Sequence, residues 1–390
     1  MNDGASIYAM SHDTVKVSTK RFALSPWSPA YLTDDILMGI YSRRFYALGA
    51  TNDPVADYWH LRRGVTLFDV PEHPIEIAGP DAMALLSRVF CRDVSKLREG
   101  RATYAIACNH QGGILMDGVL MNLGEDRFWY VLADGEFLPW LEAHAVDLDV
   151  AITDPDSWVL QVQGPKALDA MPDTLDTMPE APFTYFSVHR TTIDGHPFLI
   201  SRTGWTGELG FELYPLTPDF NGPKLFNLIL ERGAQHGMVF ASLECMGVRR
   251  IEAAIMDNGT DMDSSMTPFD AGLGRFVDLD SDADFIGKAA LRSAPREPRF
   301  FGMVASGITP IAGSRVYHED RQVGVVTSGA WSPFLESGIA FVRFRQAEDW
   351  VGREVTVDTL DGPPSGATIV ALPFYDHEKR IPRGLANDIP

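Results

Sequence analysis

The sequence predicts an α+β protein built from a duplicated α+β unit followed by a C-terminal all-β domain. Three observations carry that prediction. A strand, a Gly-Pro turn and a helix start occur together twice, at Ile75-Glu-Ile-Ala-Gly-Pro80-Asp-Ala and at Val159-Leu-Gln-Val-Gln-Gly-Pro165-Lys-Ala. Helical and strand periodicities alternate around these two segments. Beyond Arg292 the composition changes: Ser293-Ala-Pro-Arg-Glu-Pro298 reads as a linker, and only short strand-like runs with turn residues follow.

Taken in order, the first ~35 residues are rich in Ser, Pro and Thr and read as an extended arm laid over the body. A helix is predicted from Pro54, with Val55, Tyr58, Trp59 and Leu61 on one side and Asp57 and Arg62 on the other. The apolar run 65–70 leads into alternation at 73–79, a strand pattern. Helices follow both Gly-Pro turns, the first carrying Leu85, Leu86 and Val89. Proline just inside a helix start suits its fixed φ and missing N–H. Further strands are predicted at 114–123, 128–132, 149–153 and 198–202, and a long helix at 241–256 with Leu243, Met246, Val248, Ile251 and Ile255 as its apolar positions. In the last part, strands at 301–305, 323–328, 340–344, 354–358 and 368–372, with turn chemistry at 361–366, give a small β-barrel or sandwich. The expected division is an arm over 1–50, related α+β units over 51–155 and 156–292, and a β-domain over 299–390.

With 390 residues, 45% hydrophobic and 22% charged, the chain is globular and long enough for two or three cores. Its formal charge of -20, from 53 acidic and 33 basic residues, argues against a nucleic-acid partner, because phosphate binding needs clustered Lys and Arg. A small anionic ligand, held by a few local cations, stays compatible. Three scattered cysteines (Cys91, Cys108, Cys245) suit neither a disulfide framework nor a metal site. Cys108, before Asn109-His110, is either a nucleophile or a small buried residue. The start, Met1 to Lys20, has no apolar signal core, and no run approaches the ~20 apolar residues of a membrane span. A cytoplasmic protein is expected.

No phosphate-binding loop, dinucleotide fingerprint, H-E-x-x-H or C-x-x-C motif is present, which leaves carboxylates, aromatics and an arginine pair. Gly112-Gly-Ile-Leu-Met-Asp117 puts one acid in an apolar strand, where it is either functional or a turn cap. Ser201-Arg-Thr-Gly-Trp205-Thr-Gly-Glu-Leu-Gly-Phe-Glu212 surrounds an aromatic and two acids with glycines. That suits either a flat heterocycle, stacked on Trp205 and held by Glu212, or a glycine-rich hairpin with Trp in the core. Arg249 and Arg250 lie about 100° apart on an otherwise apolar helix, so at least one leans inward and needs a partner, internal or bound.

In this order the segments resemble the glycine-cleavage T-protein (aminomethyltransferase) superfamily. The likeness runs through Leu67-Phe-Asp-Val70, Gly79-Pro-Asp-Ala82, Gly112 to Asp117, Gln163-Gly-Pro165, Thr203 to Glu208 with Glu212, Arg250 to Ala253 and Thr267 to Gly272. It continues through Asp284 to Leu291, Val326 to Gly329 with Ser332-Pro333, and Pro373-Phe374, spanning roughly residues 50 to 376. Cys91 to Lys96, Leu279 to Phe285, Trp205, and the arm segments Ser25-Pro-Trp27 and Tyr41 to Tyr46 are most similar to the dimethylsulfoniopropionate demethylase branch; Thr206-Gly207-Glu208 is closer to the T-protein proper.

The resemblance implies a three-domain cloverleaf, with two related α+β domains, a C-terminal β-barrel and tetrahydrofolate in a central channel. It implies Asp117 beside the folate nitrogen that receives the carbon, Glu212 on the pterin, Trp205 as the pterin aromatic, Tyr104 in the channel, Arg250 near the folate, and an aromatic at Phe186. The activity it implies is transfer of a methyl group to tetrahydrofolate from a small sulfonium, ammonium or methoxy donor, dimethylsulfoniopropionate-like first. Trp129 and Trp331 are candidate walls for a cationic donor. Alternatives are aminomethyl transfer of the glycine-cleavage type, O-demethylation of methoxylated aromatics, and folate binding without catalysis. The expected partners are a small-molecule methyl donor and a second copy of the chain in a homodimer.

Overall fold

Gly79 and Gly164, the turn glycines of the repeated segment, both take positive φ, 139° and 126°. A Cβ at either would press on backbone, at 2.6 Å from the Asp149 carbonyl oxygen and 2.4 Å from that of Gly64, so only glycine fits. In both copies the glycine carbonyl accepts the amide three residues on, Ala82 or Ala167, at 3.0 Å. The prolines stand outside the helices, just before the caps Asp81 and Lys166, not inside the first turn.

The computed structural model describes residues 20–49, 53–132, 134–180 and 183–386; residues 1–19 of the expected arm lie outside them. A hairpin of β1 (Leu37–Tyr41) and β2 (Arg44–Gly49) precedes α1 (Pro54–Arg63) and β3 (Val65–Asp69). The first unit runs β4 (His73–Ala78), α2 (Ala82–Val89), β5 (Arg101–Cys108), β6 (Ile114–Gly124), β7 (Arg127–Leu132), α3 (Leu138–Ala143) and β8 (Ala151–Thr153). The second repeats the plan: β9 (Leu160–Gln163), α4 (Ala167–Thr174), β10 (Val188–Ile193), β11 (His196–Ser201), β12 (Gly210–Pro215), α5 (Gly222–Gly233) and β13 (Met238–Phe240). Then come α6 (Leu243–Glu252) and α7 (Lys288–Ser293), and six strands: β14 (Phe300–Ala305), β15 (Arg315–His318), β16 (Arg321–Ser332), β17 (Ser337–Phe344), β18 (Glu354–Val357) and β19 (Ser365–Val370).

The first sheet has the order β5-β6-β7-β4-β8 and the second β10-β11-β12-β9-β3-β13, while β14 to β19 close into a barrel. The two sheets match strand for strand except that β3 wedges between β9 and β13, antiparallel to one and parallel to the other. A strand that precedes the first unit thus completes the second sheet, so a cut at 155/156 does not part the sheets. Their edges also join: Ala102 N–H donates to Phe186 O at 2.8 Å and Val188 N–H to Gly100 O at 2.9 Å.

Several expectations change on contact with packing. Trp27, from the arm, is fully buried and donates Nε1–H to Trp158 O at 3.1 Å, so this part of the arm is core. On α1, Tyr58 and Leu61 turn inward as expected, but Arg62 is buried while Val55 is exposed, because Arg62 finds two buried glutamates. The helix expected over 241–256 stops at Glu252, where Ala254 adopts φ 56° and turns the chain away. No helix of the described residues is long and apolar enough to cross a membrane.

Candidate active site

Register brings the first acid to its partner. In the β5–β6 pair Ile106 faces Asp117 and Tyr104 faces Val119, which leaves Tyr104 and Asp117 diagonal on one face. The Tyr104 hydroxyl donates to Asp117 Oδ2 at 2.8 Å. Asp117 is only 7% exposed, and its Oδ1 is buried with no partner. Burial raises its pKa to about 7, helped by the nearby Asp257 charge and opposed by the Tyr104 hydrogen bond.

The second acid is seated by its own ladder. Glu212 on β12 faces Ser201 of β11 and Gln161 of β9. It accepts from Gln161 Nε2 at 2.9 Å and from the hydroxyls of Thr203 and Tyr214 at 2.5 Å each. Burial lifts its pKa, and these hydroxyl donors pull it back. The same Gln161 Nε2 donates to Glu72 Oε1 at 3.2 Å, and Glu72 Oε2 is buried without a partner. Glu72 lies well above the carboxylate range, through burial first and the Glu212 charge second.

Between the acids run the aromatic and the arginine. Trp205 N–H donates to Gln161 Oε1 at 3.4 Å, and the Arg250 guanidinium lies 5.1 Å from the Trp205 ring centroid. Arg250 is held by Asp261 Oδ2 at 2.5 Å and Ser328 Oγ at 2.8 Å, the latter from β16 of the barrel. Asp261 also accepts the Asp257 amide at 2.9 Å, and Asp257 accepts the Tyr41 hydroxyl at 3.2 Å. Asp117, Asp257 and Glu72 all raise the pKa of Tyr41 after burial does. The hairpin β1–β2, both α+β units and the barrel therefore all reach this site.

Phe186 sits at the seam of the two sheets with φ 62°, a conformation a bulky residue adopts only when its surroundings impose it. Its N–H bonds to Arg202 O at 3.0 Å and its carbonyl to Ala102 N–H at 2.8 Å. Two candidates do not join the site. Trp129 is 1% exposed, packs edge-on to Tyr214 and donates Nε1–H to Glu76 at 2.9 Å, so it is core and offers no wall to a donor. Trp331 stands on the face of β16 opposite Ser328 and Ser332, the residues that point at Asp261 and Glu252.

Of the arginine pair, Arg250 serves this site while Arg249 enters a separate buried knot. Arg249 Nε bonds Glu208 Oε1 at 2.7 Å, and Arg62 bridges Glu208 at 3.0 Å and Glu252 at 3.2 Å. Tyr58 and Ser332 donate to Glu252 at 2.7 and 2.6 Å, and Tyr375 donates to it as well. Cys108 is buried with its thiol pushed well up, through its hydrogen bond with Cys91 and burial, so it is the small buried residue and no nucleophile. Among the described residues no cluster of His, Cys, Asp and Glu is arranged for a metal.

Sequence reasoning missed Glu72, Gln161, Tyr41 and Asp257. Gln161 and Gln163 carried a usable signal, because two amides in a strand buried on both faces need built partners. What the site offers is two bare, buried carboxylate oxygens, at Asp117 and Glu72, beside aromatic faces.

Residues 40–281 match the model of the GCVT N-terminal domain, and residues 299–376 that of the glycine cleavage T-protein C-terminal barrel domain. The aminomethyltransferase of Halalkalibacterium halodurans is 34% identical over 327 residues, 81% of this chain and 88% of that protein. The trimethylamine-oxide aldolase of Ruegeria pomeroyi is 32% identical over 352 residues, 86% of this chain but 44% of that larger protein. In three dimensions, glycine cleavage system aminomethyltransferase T from Bartonella henselae superposes with a TM-score of 0.81 at 25% identity, covering 91% of this chain and 98% of that one. The chain therefore belongs to the glycine-cleavage T-protein family, whose enzymes move one carbon with tetrahydrofolate.

Proposed function

We propose that the chain is an aminomethyltransferase: the carbon forms two bonds to tetrahydrofolate nitrogens as it parts from its nitrogen, which leaves as ammonia, and from the carrier sulfur, which leaves as the thiol. The relatives named aminomethyltransferase support this reading over the demethylase expected from the arm and Trp205. The observation that carries it is Asp117, a buried carboxyl poised at about 7 with one free oxygen. An aminomethyl nitrogen departs as ammonia only with a proton, which an acid titrating near neutrality can hold there, whereas a quaternary ammonium leaves as a neutral amine. A sulfonium leaves neutral and needs none.

Tetrahydrofolate supplies the nucleophilic amine. Glu212 would hold a pterin N–H group, Glu72 in its protonated form would donate to a pterin acceptor, Trp205 would cover the ring face, and Tyr104 would fix Asp117 by the bond to Oδ2. Burial of the acids excludes water from the carbon in transit.

A second reading, methyl transfer from a small methylated ammonium or sulfonium donor of the dimethylsulfoniopropionate kind, is favoured by the similarity to the trimethylamine-oxide aldolase. One assay separates the two. The protein is incubated anaerobically with tetrahydrofolate and, in separate vessels, an aminomethyl-lipoyl carrier protein, dimethylglycine, glycine betaine, dimethylsulfoniopropionate and vanillate, and the folate product is weighed by mass spectrometry. Methylene-tetrahydrofolate from the carrier, lost in Asp117→Ala, is the expected result. 5-Methyl-tetrahydrofolate from a free donor would replace it with the second reading.

A further inference from the structure

Around Arg250 the carboxyl groups outnumber the charge that could answer them. Arg250 is spent on Asp261, Ser328 and the Ile255 carbonyl. Asp257, on the same loop as Asp261, forms no ion pair within 4.0 Å among the described residues. Its oxygens accept hydroxyls instead, Oδ1 that of Tyr41 at 3.2 Å and Oδ2 that of Thr260 at 2.9 Å. Burial raises its pKa and Asp261 adds to the rise, while Arg250 and the two hydroxyls oppose it. The Asp257 charge also reaches Asp117, whose Oδ1 is buried without a partner in a residue only 7% exposed. A buried oxygen of that kind calls for an N–H or O–H that the fold does not provide. Two acids short of a counter-charge call for that donor to be a cation.

Three elements close on this pair. The loop of Asp257 is tied to the strand of Asp117, because Asn258 Nδ2 donates to Leu115 O at 3.4 Å and lies 3.8 Å from Met116 Sδ. The hairpin β1–β2 brings in Tyr41, and its turn is clasped by residues 134–136. Ser42 N–H donates to Asp134 Oδ1 at 2.8 Å, and Arg43 pairs with Glu136. Gly135 packs over the end of Met116, where a Cβ would stand 3.1 Å from the methyl carbon. Asp257 is half-buried and its neighbours Gly259 and Thr260 are exposed, so it lies nearer to solvent than Asp117. The groups that would hold the pterin, Glu212, Glu72 and Trp205, belong to the second sheet and its loops, which leaves Tyr41 and Asp257 without a part in folate binding.

We infer that Asp257 is the specificity residue on the donor side: it holds the donor nitrogen as an ammonium against the free oxygen of Asp117, so that the enzyme takes cationic nitrogen donors and refuses neutral ones. This rests on the aminomethyl reading above. A proton held by Asp117 passes to the amine nitrogen, Asp257 stabilises the ammonium so formed, and the nitrogen leaves as ammonia with the electrons of the C–N bond. Tyr41 is a positioning residue, acting through the hydrogen bond that fixes Asp257.

The test is calorimetric titration of the full chain, loaded with 5-formyl-tetrahydrofolate, with propylammonium and with propan-1-ol, which share a carbon chain and differ in head-group charge. The wild type is expected to bind the ammonium about tenfold tighter or more. Asp257→Asn, which keeps the shape and removes the charge, should bring that ratio toward one, and Asp257→Glu should recover part of it. Tyr41→Phe, which frees Asp257 but leaves its charge, should lower the ratio by a smaller factor. Binding of 5-formyl-tetrahydrofolate, measured for each variant, shows that it is folded. Equal affinities in the wild type, or an unchanged ratio in Asp257→Asn with folate still bound, overturn the inference alone. An ammonium preference lost in Asp257→Asn, together with 5-methyl-tetrahydrofolate formed only from an ammonium donor, upholds the inference and replaces the aminomethyl reading with the second one. Transfer from neutral vanillate overturns both.

Discussion

Two groups of buried charge lie within the same domain junction and are built in opposite ways. In the knot, Arg62 and Arg249 meet Glu208 and Glu252, two cations against two anions, with Tyr58, Tyr375 and Ser332 donating to Glu252, while Glu208 Oε2 is buried without a hydrogen bond and is balanced by charge alone. In the candidate site, Asp117, Asp257, Glu72 and Glu212 form no ion pair among the described residues, and two of their oxygens have no partner at all. The knot joins α1, the turn before β12, α6, β16 and the chain after the barrel, so its balance serves docking. The carboxylate group has no balancing cation among the described residues, so it is tolerated by taking up protons, as the raised pKa values of Asp117 and Glu72 record, or by a ligand that restores the balance. Charge that closes on itself marks architecture here, and charge that does not marks the site.

Breaking the balance should expose the contrast at its largest. Glu208→Gln leaves Arg62 and Arg249 short of a counter-charge, and removing one partner of such a group costs on the order of 3–5 kcal/mol. Glu212→Gln removes a charge that burial already disfavours, so its stability should equal or exceed wild type while folate affinity falls by roughly tenfold or more. Urea unfolding of both variants with calorimetric folate titration of the second checks the pair. A Glu208→Gln protein as stable as wild type would remove the structural reading of the knot.

Asp117 supplies a pH-resolved version of the same contrast. Its carboxyl titrates at about 7 in the folded chain against about 3.9 unfolded. The folded state therefore holds the proton more tightly, and the contribution to stability is fully present below pH ~4 and is lost as pH rises toward 7. The shift sets an upper bound of about 4 kcal/mol. Asp117→Asn, which keeps the acceptor for Tyr104, should flatten that decline and melt higher than wild type at pH 8 yet not at pH 4. The same variant should lose about 10²–10⁴ in turnover. A melting difference independent of pH would show that Asp117 is already ionised in the fold.

How much of this was legible follows from what chain-local patterns can carry. The duplicated unit was readable because Gly79-Pro80 and Gly164-Pro165 repeat a positive-φ turn that only glycine supports. Tyr104, Asp117, Trp205, Glu212 and Arg250 came from ordered segments resembling one family, and the fold brings them into one connected group. Arg62 was misplaced because helical spacing assigns faces but not partners, and its partners Glu208 and Glu252 lie far along the chain. Glu72, Gln161 and Asp257 become neighbours of the site only through strand register and the β1–β2 hairpin, which no local pattern encodes. The β3 exchange hid for the same reason: Val65–Asp69 reads as the first strand of one unit and pairs in the other.

The smallest expected effect is also the most discriminating about where the proton sits. Glu72 and Glu212 share the Gln161 amide, and two like charges that close cannot both ionise cheaply. Glu212 has three hydroxyl donors, from Thr203, Tyr214 and Ser201, whereas among the described residues Glu72 accepts from the shared amide alone and is raised further by Glu212. The charge therefore belongs on Glu212 and the proton on Glu72, whose neutral acid can itself donate one hydrogen bond. Glu72→Gln copies that neutral, donating form and should alter stability by less than about 1 kcal/mol and folate affinity by only a few-fold. Glu72→Asp, which keeps the ionisable group but shortens its reach, should weaken folate binding more than Gln does. The reverse ranking in calorimetric titrations would put the charge on Glu72.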